Sequence, residues 1–185
     1  MKKLLGCFLC VMLLVFGAQA HALTISPSLI PSPCIDYGND TSQAVIDTVI
    51  APIIGTAVEL YKQNVGGSEV GLLASSYTTT FNSPSDPSGG TITYDGGPIV
   101  TDAFLLVKDG NQEPAWYLFD LTGTCPLLDW DGMETLELSG FWPGNGAISH
   151  VSLYGTQGVP EPTTMLLLGT GLVFLAGFGR KKFKS

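Results

Sequence analysis

Two apolar runs with basic flanks bracket this chain and confine folding to what lies between them. Lys2 and Lys3 precede a nearly continuous apolar stretch at 4–16, and Ala18-Gln19-Ala20 and Ala20-His21-Ala22 both have the small-x-small form of an export cleavage site. Residues 1–22 therefore read as a signal helix that is removed, with cleavage after Ala22 favoured because the polar, Pro-rich segment begins there. At the other end an apolar run at 165–179 stops abruptly in Arg180, Lys181, Lys182 and Lys184. As a helix that run covers only about 22 Å, against the ~30 Å of a hydrocarbon core. Thr163, Thr164 and snorkelling cations supply the missing length of a single transmembrane helix over 163–180. The cations of 180–185 predict a cytoplasmic tail, and the signal segment independently predicts that everything before the helix is exported.

Directly ahead of the apolar run stands Pro160-Glu161-Pro162. Two prolines hold φ near −65° and favour extended backbone before each ring, so this is a stiff segment just outside the membrane. The order of Pro-Glu-Pro, apolar helix and basic end over 159–185 closely resembles the PEP-CTERM sorting signal of Gram-negative bacteria. The resemblance implies that Pro160, Glu161 and Pro162 are the recognition motif of an exosortase, a membrane-embedded cysteine protease or transpeptidase. It also implies that the helix is a temporary anchor in the inner membrane and that the destination is the cell surface or an extracellular matrix. Hosts of such proteins typically make exopolysaccharide and biofilm.

The exported body at 23–158 has the length of one ordinary domain. It carries fifteen acids and only two bases, Lys62 and Lys108, a net charge of −13 although the whole chain shows −8. The chain's one arginine, Arg180, is in the tail. A body without a guanidinium and with this excess of acid is not expected to bind nucleic acid. Of four cysteines, Cys7 and Cys10 leave with the signal helix. Cys34 and Cys125 remain, and in an oxidising compartment they allow one connectivity, a disulfide.

Short runs rich in β-branched and aromatic residues dominate the body, at 56–63, 70–81, 91–94, 103–108, 115–121, 135–141 and 147–154. Turn residues separate them: Asn64-Val65-Gly66-Gly67, Asp95-Gly96-Gly97-Pro98 and Asp109-Gly110-Asn111-Gln112-Glu113-Pro114. The last of these predicts a hairpin, and Trp142-Pro143-Gly144-Asn145-Gly146 predicts a second one between 135–141 and 147–154. The fold class is mainly β, an antiparallel β-sandwich or jelly-roll-like domain. One stretch is ambiguous. Ala44, Val45, Val49, Ile50, Ile53 and Ile54 fit a helix capped by Thr41 or Ser42 and ended or kinked by Pro52, but the many Val and Ile fit a strand nearly as well. The body, with Leu106-Val107-Lys108-Asp109-Gly110 and Leu138-Ser139-Gly140-Phe141-Trp142, also resembles the bodies of other PEP-CTERM proteins, a pattern that implies no catalytic residues.

Candidate chemistry is sparse. His150 is the only histidine after Ala22, and Ser149 beside it on a strand is expected on the opposite face, out of reach as a nucleophile. Asp129-Trp130-Asp131 places two acids on one strand face, yet no arginine or second histidine supports a glycosidase. No enzyme is expected, and no cofactor beyond structural calcium. Asp36, Asp40, Asp129 and Asp131 lie in oxygen-rich loops that suit Ca2+ and serve equally as turn formers. Trp116, Tyr117, Trp130 and Trp142 offer candidate faces for stacking on a sugar ring, with core packing as the alternative, and Trp142, ahead of Pro143-Gly144, is the candidate exposed aromatic. The expected function is a non-enzymatic surface protein handled by an exosortase and associated with exopolysaccharide or biofilm matrix. A carbohydrate-binding β-domain is the alternative.

Overall fold

In the computed structural model, residues 22–159 are described except 110, 111 and 145. The signal segment with Ala20, the sorting motif 160–162, the apolar run and the basic tail lie outside the described residues. Among the described residues no helix is long and apolar enough to cross a membrane. The elements in chain order are β1 (Ala22–Ile25), β2 (Ile35–Gly38), α1 (Gln43–Ile54), β3 (Val58–Asn64), β4 (Glu69–Val70), β5 (Tyr77–Phe81), β6 (Gly90–Tyr94), β7 (Ile99–Asp109), β8 (Trp116–Asp120), β9 (Thr135–Leu138) and β10 (Ile148–Gly158).

Side-chain alternation sorts these strands into two sheets around one core. The four-stranded sheet has the order β1-β9-β6-β5, the six-stranded sheet β2-β8-β7-β10-β3-β4. Ile25, Tyr77, Ile92, Leu136 and Leu138 of the first meet Tyr61, Leu105, Val107, Phe119, Val151 and Leu153 of the second. Polar bonds tie the layers together as well. Tyr61 Oη and Thr79 Oγ1 share a 2.7 Å hydrogen bond across the core. The Tyr77 hydroxyl accepts from the Val100 N–H and donates to the Gly132 carbonyl, both at 2.9 Å.

The six-stranded sheet is covered on its other face too. Leu106, Trp116, Leu118 and Tyr154 point away from the shared core and pack against Ile46 and Ile50 of α1. This explains why β7 reads as a nearly unbroken apolar run: both its faces are buried, so alternation disappears from the sequence. A bulge interrupts β7, where Asp102 takes φ +47° opposite Gly155. A Cβ on Gly155 would stand 2.4 Å from Val100 Cγ1, so only glycine fits there.

Of the two readings open for 41–54, the helix is the observed one. Ser42 occupies the N-cap position without a side-chain cap bond. The helix runs two residues past Pro52 and stops at Gly55, where φ is +61° and the N–H bonds the Ala51 carbonyl. The hairpin of β7 and β8 forms as expected.

Three expectations need correction. The second hairpin does not form: β9 pairs with β6 and β1 in one sheet, while β10 pairs with β7 and β3 in the other. The turn at 142–146 therefore carries the chain between layers. Pairing is also not wholly antiparallel, because β1 runs parallel to β9. The expected strand at 70–81 is broken by a turn segment into β4 and β5, which belong to different sheets. Gly71 sits at the break, where a Cβ would come within 2.5 Å of the Leu60 carbonyl.

Candidate functional site

Trp142 is not the exposed aromatic that its place at a turn suggested. It is only 7% exposed. Its Nε1–H donates to the Pro114 carbonyl at 2.7 Å, its ring stands 5.3 Å from Tyr117 and 5.8 Å from Phe141, and its backbone takes φ +44°. Burying the apolar body and giving the indole N–H a carbonyl satisfies both halves of a tryptophan at once. Trp142 thus pins the 142–146 crossover to the end of the β7–β8 hairpin.

The same packing makes a shallow cleft of about 270 Å³ lined by Gln112, Glu113, Tyr117, Trp142, Pro143 and Gly146. The half-buried ring of Tyr117 is its aromatic wall, with exposed Tyr37 behind it at 6.3 Å. Burial raises the Tyr117 pKa, so its hydroxyl stays protonated and able to donate. An aromatic face beside an amide and a carboxylate is a combination that suits a sugar ring. The sequence already names Tyr117 among the stacking candidates and marks Gln112-Glu113-Pro114 only as a turn.

His150 lies on the face of the six-stranded sheet that carries α1, opposite Lys108 on β7 and next to Lys62 on β3 across Ser152. The body's two cations thus flank its one histidine. Burial first, then those two charges, press the His150 pKa down to about 3. Lys108 is itself buried, which lowers its pKa, and its Nζ donates to the Asp109 carbonyl. Ser149 corrects a sequence expectation. A register shift between Ile148 and His150 brings the Ser149 hydroxyl to 3.5 Å from His150 Nδ1 rather than to the opposite face. That hydroxyl donates to the Lys108 carbonyl at 3.0 Å, and an imidazole with so low a pKa is a weak base at neutral pH.

The four acids considered for calcium are all exposed: Asp36 on β2, Asp40 in the following loop, Asp129 in a bridge with Thr122, and Asp131 in the turn before β9. Asp131 Oδ1 accepts the N–H groups of Met133 and Glu134, which is turn chemistry. Among the described residues no group of three or more His, Cys, Asp or Glu could hold a metal ion. Cys34 and Cys125 form the disulfide, Cα to Cα 5.6 Å.

The chain leaves the domain directly from a central strand. From His150 to Tyr154 β10 is paired on both sides; Gly155 pairs with β3, the last three residues pair with β7 alone, and Pro160 follows two residues after Gly158. Residues 158–182 match the family model of the PEP-CTERM protein-sorting motif. The chain is therefore a protein carrying that sorting signal behind a β-rich domain. The motif implies a surface protein targeted by an exosortase, with export and membrane-associated sorting in a Gram-negative bacterium. No curated protein and no solved structure matches the chain.

Proposed function

We propose that this protein is a non-enzymatic component of the cell surface or extracellular matrix, associated with exopolysaccharide or biofilm. In this reading residues 1–22 direct export, an exosortase recognises Pro160, Glu161 and Pro162, and the apolar run anchors the protein in the inner membrane until it is released. The observation that carries the reading is the sorting-motif match at 158–182, which begins at the last residue of β10. The acidic body suits a soluble matrix component that repels anionic surfaces. Replacing Pro160-Glu161-Pro162 by three alanines is expected to trap the uncleaved protein in the inner membrane, seen as a larger species on an immunoblot of that fraction. Normal processing of this variant would reject the reading.

The cleft beside Tyr117 supports carbohydrate binding as a second reading. Tyr117→Ala and Gln112→Ala are expected to weaken glycan binding by the exported protein in calorimetric titration, each by roughly 1 kcal/mol or more. Unchanged binding in both would remove the cleft as a site.

A further inference from the structure

α1 carries an exposed apolar flank beside the face it buries. Ile46 and Ile50 are buried against the six-stranded sheet, while Val45, Val49 and Ile53, spaced i, i+4 and i+8, are 43%, 41% and 38% exposed. On a helix of 3.6 residues per turn these three share one stripe with Thr48 and Pro52. The Thr48 hydroxyl donates to the Ala44 carbonyl, so it adds no free polar group. The only charge on the helix, Asp47, lies at the flank toward the sheet, where it accepts from Gln43 Nε2 at 2.8 Å and faces the Tyr154 hydroxyl. A body of net charge −13 thus holds an uncharged apolar strip on α1.

The path of the chain says what this strip meets. Val58 is paired with Gly155 of β10, so the C-terminal end of α1 and the start of β3 lie beside the point where β10 leaves the sheet. From Val159 only six residues separate β10 from the apolar run that starts at Met165, and six extended residues reach at most about 20 Å. An anchored domain is held with this side within that distance of the bilayer.

We infer that the exposed apolar flank of α1 is a bilayer-contact surface used while the C-terminal anchor is in place. The inference rests on the anchor reading above. Interfacial helices usually add Lys and Arg to bind anionic lipid; α1 has neither. Its contact is therefore apolar and gains nothing from anionic headgroups, which the acidic body repels. The tether raises the local concentration of the surface at the membrane, so a strip with little affinity of its own is used only while tethered. Cutting the chain at the motif removes the tether and frees the domain from the membrane in one step.

The full chain, with Cys7 and Cys10 replaced by serine, is reconstituted in phosphatidylcholine vesicles. An environment-sensitive fluorophore is placed at Val49→Cys, Ile53→Cys or, on the exposed face of the four-stranded sheet, Thr78→Cys. Doxyl-labelled lipid is expected to quench the label at 49 and 53 at least about twofold more than at 78. Adding anionic lipid should not increase that contrast, and protease cleavage between the domain and the anchor should abolish it. Equal quenching at all three positions in protein that floats with the vesicles would overturn the inference and leave the anchor reading intact. A label shielded from aqueous iodide but untouched by doxyl lipid would also overturn it, since a second copy or another protein segment would then cover the helix. Protein that fails to float would remove the anchor reading and the inference with it.

Discussion

Gly38 and Trp116 compete for the same space at the edge of the six-stranded sheet. They are cross-strand partners, and a Cβ at position 38 would stand 2.5 Å from Cζ2 of the fully buried indole. The glycine is there for space: its φ is not in the left-handed region. Trp116 in turn is the floor on which the α1 cluster rests. Gly38→Ala is expected to force the indole aside and destabilise the domain by about 1–3 kcal/mol, the usual cost of overpacking. Urea unfolding followed by circular dichroism measures it, and an unchanged midpoint would show that the ring has room to move.

Tyr77 fastens the four-stranded sheet to the start of β7 through one hydroxyl. Removing it leaves the buried Val100 N–H without its acceptor and Gly132 without its donor. Tyr77→Phe keeps the ring contacts with Tyr61 and Trp130, so it isolates the polar term. A loss of about 1–3 kcal/mol is expected from the orphaned groups. Burial also pushes the Tyr77 pKa up to about 12, so in the folded protein this hydroxyl should not ionise in a spectrophotometric titration to pH 11.

The Cys34–Cys125 disulfide closes a loop with a sequence separation of 91. In the chain-entropy account a loop of that length stabilises by roughly 4–5 kcal/mol. Its placement matters as much as its length. Cys34 stands immediately before β2, an edge strand of four residues held only by β8. The double variant Cys34→Ser, Cys125→Ser is expected to lower the melting temperature and to raise hydrogen exchange first in 35–38. Exchange rising equally throughout would show that the bridge acts on the unfolded chain alone.

What was legible in the sequence was whatever local chemistry determines. The Asp109 to Pro114 turn between two apolar strands forecast the β7–β8 hairpin, and two cysteines left in an exported body forecast their own pairing. The 142–146 turn misled because proline and glycine mark a change of direction without saying which sheet receives the chain. The partner of β9 is decided by Leu136 and Leu138 meeting Ile25 and Ile92 in the shared core, contacts between residues far apart in sequence. The same nonlocal packing decided Trp142: beside Pro143-Gly144 an indole reads as exposed, until the Pro114 carbonyl arrives from another turn to bind it. The cleft was illegible for that reason, since its walls come from the 112–117 and 140–146 segments. The sorting motif was legible because it is a contiguous run of residues, matched as such at 158–182.

His150 sets an acid limit on the stability of the domain. Buried beside Lys62 and Lys108, it holds its pKa near 3 in the folded state, against about 6.5 in an unfolded chain. Between those values the unfolded chain binds a proton that the folded one refuses. The associated stability is complete above pH 6.5 and is lost as the pH falls toward 3, with a slope of up to about 1.4 kcal/mol per pH unit. The diagnostic quantity is a difference between two proteins. His150→Gln keeps a neutral polar side chain and removes the titration. Its urea midpoint should fall less steeply between pH 6.5 and 4 than that of the natural protein, and the two curves should run parallel above pH 7. Parallel curves over the whole range would mean that His150 takes up its proton in the folded state as readily as in water, contradicting its burial between the two lysines.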